Sequence, residues 1–501
     1  MDHKGNTILI LFLAFLGGSA MVLAFAPFSQ GWVALLSLAA LFLLWRNASP
    51  ARAFAIGWAW GMGCMGFGVF WLHHSIAQFG GVNFPLAILL TLLFAAVLAL
   101  FSALAGGLAR KCSGISSTTL ILAYPASWVL MEWVRSWLLT GFPWLTVGYS
   151  QIDTPLSGYA PLLGVYGVSL ALALSAAALS LGPSRWLLLL PGIWAGGWAL
   201  QQLEWTQPAG EPFTTTLLQA SIPQEEKWLP SQLRPTLEYY VGASEAHPGS
   251  RLIIWPETAV PAFADQVEES LLQPLHQRFR RQGRDLLLGI PVRDPQGRAY
   301  NAMISLGSSG RGEYYKRHLV PFGEFMPFKT LLQPLVELFA IPMSSFSPGD
   351  KSKPPLLKLA GMEAGISICY EDAFGEEVVQ ALPQAAFLVN ASNDAWFGDS
   401  LAPHQHLEMA RMRALETGRY LLRATNTGVS AIISPRGALV RVLPQFERGA
   451  ISAEIRPRQG QTGFSLWRNW PVVGLSILLL GIACFPVAKS LPFKNQVQEK
   501  K

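Results

Sequence analysis

The sequence predicts an α-helical membrane domain of about eight spans joined to one α/β domain, which is inserted between the seventh span and the eighth. Three observations predict this. Eight apolar stretches are long enough to cross a hydrocarbon core of about 30 Å. A chain of 501 residues with 51% hydrophobic and only 14% charged residues is more apolar than a soluble domain of that size. At Glu204 the pattern changes to short aliphatic and β-branched runs separated by Gly, Pro and charged turns, and it changes back near residue 470.

The predicted spans are residues 8–26, 31–45, 54–76, 85–108, 119–139, 157–182, 186–203 and 471–488, with 31–45 the weakest of them. If the spans alternate from an inside N-terminus, Lys4, Arg46, Arg52, Arg110, Lys111, Arg185, Lys489, Lys494, Lys500 and Lys501 all fall on one side. The opposite short loops, near 77–84 and 140–156, carry no Lys or Arg. The positive-inside rule then places both termini in the cytoplasm and residues 204–470 outside it. Ala24-Phe25-Ala26 looks like a signal-peptide cleavage site, but the apolar run is long for that purpose. Its removal would also break the alternation of charge, so the segment is read as the first span.

The net charge of +6 does not indicate nucleic-acid binding. Residues 204–470 hold 26 Lys/Arg against 27 Asp/Glu, whereas the rest of the chain holds 11 basic and 4 acidic residues. The basic excess therefore flanks the apolar stretches, as topology requires.

Two features inside the spans have bland readings. Glu132 and Arg135 lie one helical turn apart in the fifth span and are read as a structural pair rather than a catalytic one, because ionisable groups there are costly unless paired. His73 and His74 end the third span as interfacial residues, with no neighbours at metal-site spacing, and no metal is expected. The cysteines at 64, 112, 369 and 484 offer no paired framework, since Cys64 and Cys484 lie in apolar spans and Cys112 beside a basic turn. Cys369, alone in the soluble part, is either buried and inert or kept for its chemistry.

In the soluble part, strands are predicted at Thr216–Ile222, Leu252–Trp255, Asp285–Ile290, Ala302–Leu306, Ala364–Ile368, Phe387–Val389, Val429–Ser434 and Ile451–Ile455. Helices are predicted at Val267–Gln282 and His404–Thr417 from apolar residues at helical spacing. This alternation gives an α/β domain. Phe325–Phe346 is highly apolar but broken by three prolines. It reads either as a buried loop or as an arm dipping into the membrane surface, and the nearby spans favour the arm.

Cys369 ends the run Gly365–Ile368 and precedes Tyr370-Glu371-Asp372, where a strand gives way to a turn. Strand ends are where α/β folds present reactive groups. A nucleophilic thiol also needs a base or a positive charge beside it. Glu257 follows the run Leu252–Trp255 in the same manner, and Lys316 lies shortly after a predicted strand, with Glu324 further along. Each alone is an ordinary loop residue.

Together the three segments resemble the Glu-Lys-Cys triad of the nitrilase, or carbon-nitrogen hydrolase, superfamily. The strings IPQEEKW, WPET, YKRHLVPFGEFMP, SICYED, NASNDAWFG and RATNTG, with seven spans before them and one after, resemble its membrane branch, the apolipoprotein N-acyltransferases, over essentially the whole chain. The resemblance implies a nitrilase-like α-β-β-α sandwich as residues 204–470, a seven-span membrane domain as 1–203, and an eighth span with a cytoplasmic tail as 471–501. It implies Glu257 as general base, Lys316 as the cation that favours the thiolate and stabilises the oxyanion, and Cys369 as nucleophile. Trp228, Glu324, Tyr370 and Glu371 would shape or support the site, although an aromatic core residue and turn residues are the plainer readings of Trp228, Tyr370 and Glu371. Asn393, Trp396 and Asn426 would brace the pocket.

The implied reaction is ping-pong transfer of a fatty acyl group from a phospholipid donor to Cys369, then to the α-amino group of a diacylglyceryl cysteine on an apolipoprotein, the last step of lipoprotein maturation. It needs no cofactor, and one copy of the chain in the bacterial inner membrane would suffice. A membrane-anchored amidohydrolase with water as second acceptor is the alternative enzyme. A transporter or receptor would have no need of all three triad residues. No G-x-S-x-G elbow supports a serine hydrolase, and no Walker A motif supports ATP.

Overall fold

The computed structural model describes residues 3–114, 116–326 and 346–489. The predicted arm at Phe325–Phe346 lies outside the described residues except at its two ends, as do Lys494, Lys500 and Lys501. The N-terminal part consists of helices α1 (His3–Met21), α2 (Gly31–Trp45), α3 (Pro50–Gly68), α4 (Leu72–Phe79), α5 (Phe84–Cys112), α6 (Ser117–Arg135), α7 (Ala160–Ser180) and α8 (Leu189–Gln201). A further helix, Trp470–Lys489, packs on α5 and α6.

By length and composition, three helical stretches among the described residues are long and apolar enough to cross a membrane: Asn6–Ala24, Phe84–Cys112 and Pro155–Ser180. The expected span 54–76 is a bent pair, α3 and α4, meeting at 55°. Gly31–Trp45 and Trp470–Phe485 are apolar but shorter. Helix α6 falls short because Ser, Thr, Glu132 and Arg135 dilute its apolar run, and α8 because it has only 13 residues.

Small residues let these helices approach closely. A Cβ on Gly61 of α3 would lie 2.2 Å from Ser102 Oγ and 2.8 Å from Ala99 Cα of α5. Gly61→Leu is therefore expected to force α3 from α5 and to cost about 2 kcal/mol or more of stability, read as a lowered melting temperature in detergent. At the centre, Phe42, Trp45, Tyr124 and Trp128 pack ring against ring, with Trp45 and Tyr124 edge to face at 5.7 Å.

Two expectations need correction. Cys112 and Cys484 form a disulfide, 372 residues apart in sequence. Reading Cys112 as beside a basic turn and Cys484 as inside a span hid the fact that both lie near the same end of two packed helices. Glu132 and Arg135 are buried but make no ion pair with each other. Glu132 Oε1 accepts from the Val147 N–H at 2.9 Å, and Arg135 donates to the Trp144 carbonyl at 2.5 Å. Each one secures the loop between α6 and α7.

The rest of the chain carries two six-stranded sheets. One has the order β13-β2-β3-β4-β5-β6, with β2 Phe213–Gln219, β3 Leu252–Ile254, β4 Asp285–Arg293, β5 Ala299–Gly307, β6 Gly312–Tyr315 and β13 Gly449–Ile455. The other has the order β12-β11-β10-β9-β8-β7, with β7 Leu356–Leu359, β8 Met362–Ile368, β9 Phe387–Ser392, β10 Leu421–Thr425, β11 Ser430–Ile433 and β12 Leu439–Leu443. A two-residue ladder joins β1 (Gln207–Pro208) to β14 (Arg458–Gln459). Each large sheet has three parallel central strands with antiparallel strands at its edges.

The sheets face each other across a core that includes Leu217, Ile254, Leu287, Ile366, Ile368, Val389 and Leu422. Helices Pro230–Glu245 and Gln273–Arg281 cover the outer face of the first sheet through Tyr240, Leu275 and Phe279. Helix Ala402–Thr417 covers the second through Leu407, Ala410 and Ala414. The layers are thus α-β-β-α, as expected. The predicted helix Val267–Gln282 is a π-turn over Glu268–Leu272 followed by an α-helix from Gln273, where Pro274 lacks the N–H a continuous helix would need. Helix Ala402–Thr417 is buried along nearly its whole length because its other side, Met409, Met412 and Leu415, packs into the helical core of the N-terminal part.

Candidate active site

Three strand ends meet at the site. Glu257 lies on the turn after β3, Lys316 directly follows β6, and Cys369 directly follows β8. The Glu257 turn lies close over β4 at Gly289, where a Cβ would stand 2.7 Å from Glu257 Cα. Glu257 Oε1 accepts from Asn301 Nδ2 of β5 at 2.6 Å and lies 3.6 Å from Lys316 Nζ. Lys316 Nζ stands 2.9 Å from the Glu324 carboxylate, which also accepts from Asn301 at 3.1 Å and from the Val320 N–H at 2.8 Å. A single asparagine and a single lysine thus hold two carboxylates together. All of these side chains are buried or nearly so.

Cys369 is buried and has a φ of +51°, a left-handed conformation that a non-glycine residue adopts only when its surroundings impose it. Burial first, then the Glu257 charge, pushes its thiol well above the ordinary value, while Lys316 and a hydrogen bond with Ser392 pull it back. The resting group is therefore a thiol, and a base must take its proton before it can attack. Burial would lower Lys316, but Glu324, then Glu257 and Cys369, outweigh it and hold the ammonium charged. A second buried lysine, Lys227, donates to the Glu257 backbone carbonyl at 3.3 Å. Burial lowers it to about 8, partly offset by Glu257.

Glu371 is fully engaged. Its Oε1 accepts from the Arg317 and His318 N–H groups at 2.6 and 3.1 Å, and its Oε2 from the Ile368 N–H and the Tyr314 hydroxyl at 2.7 and 2.9 Å. It ties the segment after Lys316 to the segment around Cys369. Asn426 exchanges two hydrogen bonds with the backbone of Ile222 and donates to Asn393, which donates to Gln224. These two residues brace the stretch that carries Lys227 and Trp228. Trp228 and Trp396 are exposed, and Trp396 meets Phe79 of α4 edge to face at 4.7 Å.

The Tyr370 side chain turns to other partners than Glu257, Lys316 and Cys369. Its hydroxyl donates to the Gly141 carbonyl at 2.9 Å, and its ring packs near Trp144 and Phe374, so it fastens the elbow to the loop between α6 and α7. His73 packs against the rings of Phe70 and Phe84. A cavity of about 530 Å³ lies between the helices and the sandwich, lined by Trp133, Trp137, Arg413 and Phe464 among others. It borders the Glu371 clamp at Arg317 and His318, and none of Glu257, Lys316 or Cys369 lines it.

Sequence reasoning missed Asn301 and Lys227. Asn301 interrupts an otherwise apolar strand, and a buried amide in that position signals a polar partner. Lys227 sits inside a quoted string, but nothing local marks it as buried.

Residues 17–178 match the family described as "Apolipoprotein N-acyltransferase N-terminal domain", and residues 214–462 match "Carbon-nitrogen hydrolase". An apolipoprotein N-acyltransferase from Methylococcus capsulatus is 48% identical, covering 95% of this chain and 95% of its own. One from Nitrosomonas europaea is 44% identical, covering 95% of this chain and 97% of its own. Among solved structures, Saccharomyces cerevisiae Nit3, a nitrilase-superfamily member, aligns at 18% identity with a TM-score of 0.38, over 58% of this chain and 100% of its own.

Proposed function

Because the chain belongs to the apolipoprotein N-acyltransferase family, we propose that it moves a fatty acyl group from a membrane phospholipid, through a thioester on Cys369, to the α-amino group of the diacylglyceryl cysteine of an apolipoprotein. The observation that carries this reading is a buried thiol beside a buried ammonium and carboxylate, at strand ends beneath a bundle of apolar helices.

Glu257 takes the Cys369 proton as Sγ attacks the ester carbonyl of the donor. The oxyanion is stabilised by the Lys316 ammonium and the Tyr370 N–H. The ester C–O bond then breaks, and Glu257 returns the proton to the departing lysophospholipid hydroxyl. In the second half the acceptor amine attacks the thioester, Glu257 takes a proton from it, and Cys369 leaves as thiolate and recovers that proton. Glu324 holds Lys316 in place. Exposed Trp228 and Trp396 offer apolar surface to an acyl chain. The low water content of such a site favours an amine over water as acceptor.

The basic loops support both termini in the cytoplasm and residues 204–470 in the periplasm, with the bent pair α3–α4, the shorter apolar helices Gly31–Trp45 and Trp470–Phe485, and α6 and α8 completing eight spans beside the three long ones. Residues 1–203 are then the membrane domain, 204–470 the catalytic domain, and 471–501 the last span and tail. One copy of the chain holds every residue the chemistry uses.

Intact-mass analysis of protein held with phospholipid tests the first half. An acyl adduct that hydroxylamine removes and Cys369→Ala lacks is expected; folded protein without an adduct contradicts the reading. Supplying labelled phospholipid with a diacylated lipopeptide tests the second half. Label is expected on the peptide amine, and label recovered only as free fatty acid points instead to the hydrolase.

A further inference from the structure

Against the Cys369 backbone lies a second group of charges that the acyl-transfer steps do not use. His406, from helix Ala402–Thr417, places Nε2 2.8 Å from Asp372 Oδ1 and Nδ1 3.0 Å from Asp394 Oδ1. Arg423 of β10 bridges the same two carboxylates at 3.2 and 2.8 Å and donates to Asn390 Oδ1 at 2.5 Å. Asp394 also accepts from Ser392 at 2.9 Å. All four ionisable side chains are buried. Both imidazole nitrogens face carboxylate oxygens, so both must carry protons for the two contacts to be favourable together. Two cations then balance two anions.

The group touches the nucleophile. His406 Nε2 lies 3.3 Å from the Cys369 carbonyl, and Asn390 donates to the same carbonyl at 3.2 Å. That carbonyl belongs to the residue with φ +51°. Asp394 is also one of the charges that raise the Cys369 thiol. Other groups among the described residues that face the cluster are the Trp144 ring, 5.6 Å from His406, the Arg413 guanidinium and the Tyr149 hydroxyl, which act on Asp372, and His404, which feels Asp394; Arg413 is itself paired with Glu416.

We propose that His406 is a positioning residue for Cys369: as an imidazolium it cancels the negative charge beside the nucleophile and, with Asn390, anchors the carbonyl of the left-handed elbow that aims the thiol at Glu257. This rests on the reading of Cys369 as the acyl-carrying nucleophile. The two carboxylates hold the imidazolium up to about 9, against burial and the Arg423 charge, so the cluster stays neutral at physiological pH. Losing the His406 charge leaves Asp394 incompletely balanced, and the thiol becomes harder to ionise.

The test is alkylation of Cys369 by iodoacetamide across pH, with the full chain in detergent and the modified cysteine identified by peptide mapping. His406→Gln is expected to slow alkylation at pH 8 by about tenfold and to move the profile up by about one pH unit. Asp394→Asn, which removes a negative charge, is expected to move it in the opposite direction. His406→Gln combined with Asp394→Asn restores neutrality and is expected to return the profile to near that of the parent. Misfolding cannot produce opposite shifts or this rescue. A folded His406→Gln protein with the parent profile, an Asp394→Asn protein that alkylates more slowly, or a double variant no better than His406→Gln overturns the proposal. Acylation by phospholipid is measured on the same samples. The expected alkylation pattern without any acyl adduct would leave the positioning role standing and remove the acyl-transfer reading, and an adduct without that pattern would do the reverse.

Discussion

Lys316→Met is expected to lower the rate of Cys369 acylation by about 10³-fold or more, the largest effect of any change outside the nucleophile. Among the described residues the lysine is the one cation paired with both carboxylates, at 3.6 Å from Glu257 and 2.9 Å from Glu324. Without it the two carboxylates, both bonded to Asn301, face each other in a buried site. One of them takes up a proton, as close carboxylates do, and the base is lost or blunted. The thiolate and the oxyanion lose their stabilising charge in the same change, and one such electrostatic contact alone is worth about 10²–10³ in rate. Breaking a buried ion pair also costs about 3–5 kcal/mol of stability, so the melting temperature should fall with the rate. Lys316→Arg keeps the charge but not the shape, since a planar guanidinium does not replace a compact ammonium between two carboxylates, and it should rescue stability more than rate. Single-turnover acylation, followed by intact mass, is the measurement. A Lys316→Met protein acylated within tenfold of the parent would remove Lys316 from the chemistry.

Glu371→Gln is expected to damage both stability and acylation although Glu371 touches no reacting atom. All its acceptor capacity is used, two donors on each oxygen. A glutamine keeps one oxygen but turns an NH2 group toward two donors, leaving two buried groups without acceptors at about 1–3 kcal/mol each. The loss also frees the Lys316 segment from the Cys369 elbow, so the base and the nucleophile no longer hold their register. We expect a stability loss of about 3 kcal/mol by thermal unfolding and a clear drop in acylation rate at saturating lipid. Unchanged melting and unchanged rate would show that the clamp is dispensable.

How much of this was readable in the chain depends on how local each signal is. Strands β3, β4, β5 and β8 are buried aliphatic runs, and burial on both faces writes itself into sequence as a continuous apolar segment. Strand β10 escaped because Arg423 sits in its middle, and only the Asp372–Asp394 pair explains how a strand core accommodates that charge. Strand β12 escaped because it is an edge with exposed side chains, and β6 and β7 because the exposed Glu313 and Lys358 interrupt their short runs. The polar face of helix Ala402–Thr417 was equally opaque. Gln405 accepts from the indoles of Trp71 and Trp144 at 3.2 and 2.7 Å, and Glu416 accepts from the Val165 N–H at 2.7 Å. Residues that look solvent-facing in sequence are here the fastening between the helices and the sandwich.

By itself, then, the sequence determined the apolar stretches, the charge asymmetry of the short loops, the α/β character of residues 204–470, and Glu257, Lys316 and Cys369 as residues to bring together. These follow from patterns a few residues to a few turns long, or from strings specific to one family. Only the tertiary structure decided that Asn301 bonds the Glu257 and Glu324 carboxylates together, that Glu371 ties two strand ends, that Cys112 bonds Cys484, that Glu132 and Arg135 hold a loop instead of each other, and that His406 lies against the Cys369 carbonyl. Each of these is a meeting of side chains far apart in sequence, and packing alone determines which distant polar groups share a buried space and must satisfy one another.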